Sequence, residues 1–144
     1  MIRYLRIAFA ALAWLFVATV VIQVFLIGLG LFGDPAFRET HREFGFTWVG
    51  LAALALLIVA ILARPGPRAL GAVVGLFVLY IIQTSLPGLR DSYPAVAALH
   101  PVLAMGIFVM SIQIARSATE AVRQPASVAL DTQAASDTGI ADAG

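Results

Sequence analysis

Four long stretches of this chain carry no charged side chain: Ile7–Gly33, Phe44–Ala63, Ala69–Leu89 and Ser92–Ala115. A helix crosses the hydrocarbon core of a bilayer with about 20 apolar residues, because it rises roughly 1.5 Å per residue. Lipid offers no hydrogen-bond partner, so backbone inside it must bond to itself, and each such stretch must be helical. The sequence therefore predicts an all-α, integral membrane, antiparallel four-helix bundle occupying residues 1–120, with helices over about 5–33, 44–63, 68–87 and 94–116. Short connections favour sequential neighbours packed side by side. The first stretch is longer than the roughly 7–15-residue apolar core of a signal peptide and leads into further spans, so it reads as a retained helix.

Charge sets the expected orientation. Arg3, Arg6, Arg64, Arg68, Arg116 and Arg123 fall at one end of the predicted bundle, with Glu120 the acid beside them. Arg38, Arg42 and Arg90 fall at the other, offset by Asp34, Glu39, Glu43 and Asp91. The positive-inside rule then puts both termini in the cytoplasm and the loops 34–43 and 90–94 outside. All nine basic residues are arginine, a bias that a GC-rich bacterial genome produces, and a bacterial inner membrane is the expected location. After Arg123 the sequence "QPASVALDTQAASDTGIADAG" has no aromatic residue and no sustained apolar face, so residues 121–144 read as a disordered cytoplasmic tail.

Several chemistries are excluded. There is no cysteine for a disulfide, a thiolate metal site or thiol catalysis. A net charge of +1 without a basic patch gives no reason to expect nucleic acid binding. The four spans hold no acid, which argues against a proton relay or an ion-coupled transporter. No catalytic motif is present, so nothing marks the chain as a stand-alone enzyme.

The polar residues that remain form a pattern. "QVFLIGLG" from Gln23 and "QTSLPGLR" from Gln83 share Gln-x-x-Leu-x-Gly-Leu. The chain's only two histidines follow in register, His41 by 18 residues and His100 by 17. Small residues, Gly45 and Ala104, lie four positions later. This predicts two tandem helix-pair repeats, related by an axis along the membrane normal. In a four-helix ring the second and fourth helices are diagonal, so His41 and His100 are expected to face each other at one depth. The fourth helix is expected to start near Pro94 and to bend at His100–Pro101, which would aim the imidazole inward.

Two facing imidazoles suit the two axial positions of a haem iron. On that reading His41 and His100 ligate the iron of a haem b, and Gly45 leaves room for the flat ring. Arg42 and Arg90 take the propionates, for which a guanidinium fork is well shaped. Gln23 and Gln83 sit beneath the cofactor. An iron with both axial positions filled suits electron transfer or redox and haem sensing. The partners would then be the lipid bilayer, a redox protein or membrane complex, and in a homodimer a second copy. Zinc or copper is a poorer match, because two histidines are too few ligands. The bland alternative is a cofactor-free membrane subunit or scaffold whose histidines decorate the interface and whose glutamines bond across helices.

Residues 4–115 also resemble known proteins. Gln23, "HREFG", Gln83, "LPGLR" and "LHP" resemble a family of small bacterial four-span membrane proteins with no established function. The layout is similar to one half of haem A synthase, whose four-helix units carry histidine haem ligands on their second and fourth helices. That resemblance implies His41 and His100 as axial ligands on the extracytoplasmic side. Haem A synthase has two such bundles and often an outer-loop cysteine pair; this chain has one bundle and no cysteine. Neither Glu39 nor Glu43 matches the catalytic glutamate convincingly. The resemblance thus implies haem binding and not haem hydroxylation.

Overall fold

The computed structural model describes the backbone of residues 2–141 and the side chains of residues 2–123. It contains four helices long and apolar enough to cross a membrane: α1 (Ile2–Phe32), α2 (Phe37–Ala63), α3 (Pro67–Leu89) and α4 (Pro94–Arg123). No strand is present among the described residues. The last α-helical segment is Leu99–Ala141, running past the expected end at 116. The tail expected over 121–144 lies largely outside the described side chains.

Each helix packs on its neighbour in sequence, and α4 closes the ring against α1. α1 and α3 are therefore diagonal, as are α2 and α4. Phe16, Leu56, Val73 and Leu76 are fully buried at the centre. Ala13, Ala53, Ala60, Ala63 and Ala115 are buried with them and let the backbones approach, the usual basis of helix association in lipid. The outside is apolar as well: Leu15, Phe25, Ile61, Val78 and Met105 are all exposed. Water would penalise such a surface, whereas hydrocarbon accepts it, and the chain is a multi-pass membrane protein. The buried threonine and serine hydroxyls are satisfied within their own helices. Thr19 Oγ1 donates to the Phe16 carbonyl and Ser111 Oγ to the Phe108 carbonyl, each at 2.7 Å.

The start of α2 also differs from expectation. α2 begins at Phe37, not near 44, so most of the expected loop 34–43 is helical. Charge limits the length of helix that lipid can cover, but it does not limit the helix. The segment Phe37–Phe44 carries Glu39 and Arg42 as an ion pair one turn apart, and Asp34 Oδ1 accepts the Ala36 N–H at 2.9 Å just before it. A π-helical turn, Gly45–Val49, then links this polar segment to the apolar helix Gly50–Ala63.

The tight α2–α3 turn has Arg64 in the left-handed region (φ 49°) and Gly66 at φ 100°, with Pro67 opening α3. α3 ends in a 3₁₀ turn, Leu86–Leu89. α4 starts at Pro94 and is interrupted at Ala98, two residues before His100. Pro101 lacks the N–H that would bond the Ala97 carbonyl, so the interruption falls where the proline frees the backbone.

Candidate functional site

The two histidines are held in the same way. His41 Nδ1 lies 2.9 Å from the backbone carbonyl of Gln23, and His100 Nδ1 lies 2.9 Å from that of Gln83. A carbonyl can only accept, so each Nδ1 carries the proton and donates it. Each Nε2 is left with its lone pair, and the side-chain Nε2 of the neighbouring glutamine is 3.4 Å from it in both halves. The Gln83 carbonyl is available for a clear reason. Its helical partner would be the N–H of residue 87, which is a proline. The Gln23 carbonyl faces Ile27, which has an N–H, and accepts His41 on its second lone pair.

Across the diagonal the two imidazole rings stand 6.3 Å apart, centre to centre, with their planes 77° from parallel. An imidazole nitrogen binds a transition metal at about 2 Å, and its ring centre lies roughly 1 Å behind. Two imidazoles on opposite sides of one ion thus have centres roughly 6 Å apart. Neutral rings fixed at Nδ1 by a carbonyl, with Nε2 presented, are the usual state of metal-binding histidine. The donor set fits an iron that needs two axial nitrogens. No group of three or more His, Cys, Asp or Glu comes together among the described residues, so a zinc-type site with three or four protein ligands is not built there.

The other predicted residues divide. Gln23 and Gln83 are in the site, acting through their carbonyls as well as their amides. Gly45 has a different task from the one expected. A Cβ on it would lie 2.5 Å from Gln23 Nε2, so its open space is filled by the Gln23 amide and not kept for a flat ring. That amide donates to the His41 carbonyl at 2.7 Å. Ala104 stands at the matching position of the second half, and no such bond from Gln83 occurs among the described residues. Gln23 Oε1 is buried without a partner. Arg42 is ion-paired with Glu39, and Arg90 Nε lies 3.6 Å from Asp91; both guanidiniums are exposed, and neither hydrogen-bonds to a histidine among the described residues. Arg38 packs on Gly30 and donates from Nε to its carbonyl at 3.0 Å.

Tyr80 is a member of the site's support that spacing did not single out. It is buried on α3, one turn before Gln83, and its hydroxyl donates to the Gly45 carbonyl at 3.0 Å. The π-helical turn changes the backbone ladder there, and π turns inside α-helices often mark functional positions. Gly50 makes the approach possible, because a Cβ on it would stand 2.6 Å from the Tyr80 hydroxyl. Nothing in the spacing marks this contact, which depends on how α2 and α3 meet.

Fold and site together define a multi-pass four-helix membrane bundle that brings two carbonyl-anchored histidines together across its diagonal. Residues 23–88 match the model of a family of unknown function (DUF6220), from Gln23 through His41, Tyr80 and Gln83. No curated protein and no solved structure matches the chain.

Proposed function

We propose that this chain is a haem b-binding membrane protein that transfers electrons, with His41 and His100 as the two axial ligands. The observation that carries the reading is the duplicated geometry: two neutral imidazoles, each fixed at Nδ1, with ring centres at the separation one shared metal ion requires. A haem held there by His41 and His100 would supply one-electron chemistry. Gln23 and Gln83 fix the tautomer and the aim of each ring. Their amides lie 3.4 Å from Nε2, longer than an ordinary hydrogen bond of about 2.9–3.0 Å, so little is lost when an ion takes the lone pair. Arg42 and Arg90, exposed at the same end, are cations available for propionates. The arginine distribution supports an extracytoplasmic position for this end in a bacterial inner membrane.

The test is optical. Protein purified from haem-replete cells should give a dithionite-reduced minus oxidised spectrum with Soret and α bands, and His41→Ala or His100→Ala should abolish the low-spin signature. No bands, with added hemin also failing to bind, overturns the reading. A second reading is favoured by the Gln23 bond to the His41 carbonyl: the two Gln–His pairs are interhelical clasps in a cofactor-free membrane subunit. In that case the same substitutions lower stability and change no spectrum.

A further inference from the structure

At the end of the bundle opposite the histidines, a cavity of about 670 Å³ is lined by α1, α3, α4 and the α2–α3 turn. Its size lies in the range of ligand sites, roughly 300–1,000 Å³. Its polar wall holds two guanidiniums, Arg6 and Arg68, and no carboxylate lines it. Neither arginine forms an ion pair or a side-chain hydrogen bond among the described residues. The first turn of α3 also borders the cavity, where the N–H groups of Arg68 and Ala69 have no partner within the helix. Apart from Gln113 and Ser117 on α4, the remaining wall is apolar, with Phe9, Ala72, Met110 and Ile114 its main side chains.

This is a cation pair above an apolar slot, at the level where the helices end. We propose that the cavity seats an anionic phospholipid, its phosphate held between Arg6 and Arg68 and one acyl chain lying along Phe9, Met110 and Ile114. Each part of the wall selects for part of such a molecule. Guanidinium binds phosphate through paired N–H donors, and the start of a helix adds backbone donors and positive potential. Free phosphate would leave the apolar wall unfilled. A zwitterionic lipid would bring an ammonium towards two arginines. Basic pockets between membrane helices are known to take anionic head groups. The proposal is independent of what the histidines bind.

Native mass spectrometry of the full-length protein, delipidated in a non-ionic detergent, tests it. Phosphatidylglycerol and phosphatidylcholine of identical chains are offered in competition. The expected result is one retained phosphatidylglycerol per chain, preferred roughly tenfold. Arg6→Gln with Arg68→Gln should remove that preference, while Arg3→Gln with Arg116→Gln, at the same end but outside the lining, should keep it. Ala72→Phe, which fills the slot without touching charge, should lower retention of the lipid while helical circular dichroism stays unchanged. Equal retention of the two lipids, or an undiminished preference in the Arg6/Arg68 variant, overturns the proposal. So does displacement of the lipid by inorganic phosphate at equal concentration, which would make the site one for a free anion.

Discussion

A Cβ built on Gly45 would meet Gln23 first: the three atoms nearest to it all belong to that side chain. The cost of filling the position therefore depends on a single neighbour. Gly45→Ala should push the Gln23 amide off the His41 carbonyl, losing about 1 kcal/mol, in the range of interhelical hydrogen bonds in membranes. In a Gln23→Ala background the clash is gone. There the same substitution should be neutral or stabilising by up to about 1 kcal/mol, since alanine is the better helix former. Unfolding of the four variants in mixed micelles measures the coupling, and an unchanged cost in both backgrounds would show that Gly45 serves something other than Gln23. Glutamines and histidines were legible in the sequence because the repeat sets them in register and polar residues are scarce in such a chain. The tasks of Gly45 and Tyr80 were not legible. They depend on which atoms meet across a helix interface, and spacing along one strand of sequence does not report that.

At the scale of the element, α2 is a polar segment and an apolar segment joined by the π-helical turn Gly45–Val49. A π turn fits one extra residue into a helix while the helix on either side keeps its phase. The apolar segment is fixed by Ala53, Leu56 and Ala60 in the core, so the turn decides where His41 points. Deletion of Thr47, which is exposed, should restore a plain α-helix and leave His41 facing its partner. The change should cost no more than the Tyr80 bond, below about 2 kcal/mol. Insertion of one alanine after Thr47 adds a residue the turn cannot absorb, and it should rotate His41 by about 100° away from the Gln23 carbonyl. Thermal unfolding in detergent separates the two outcomes, with the insertion the more damaging. The reverse order would place the control of His41 outside the turn. Counting at 3.6 residues per turn from the core could not have revealed this, because the phase shifts by one residue inside α2.

For the whole molecule, the four uncharged runs carried the architecture, and the ring of sequential neighbours followed from short connections. They misplaced the start of α2 because charge bounds the lipid-crossing part of a helix, and Phe37–Phe44 continues the helix beyond it. Orientation across the bilayer rests on a separate argument, the unequal division of arginine. Arg3, Arg6, Arg64, Arg68, Arg116 and Arg123 lie at the end with the termini; Arg38, Arg42 and Arg90 lie at the histidine end, among four acids. Translocating the first group would oppose the bias that governs short loops. The absence of native cysteine makes the consequence easy to test, because any introduced thiol is the only one. Ser92→Cys, exposed between α3 and α4, should react with a membrane-impermeant maleimide in intact bacterial cells whose outer membrane admits the reagent. Glu120→Cys, exposed near the end of α4, should react only after the inner membrane is opened. The opposite pattern would put the histidine pair on the cytoplasmic side. Partial labelling of both would mean that the chain inserts in two orientations. That outcome would also predict that moving a single arginine, as in Arg90→Gln with Asp91→Arg, leaves the balance unchanged, whereas removing Arg64 and Arg68 together shifts it.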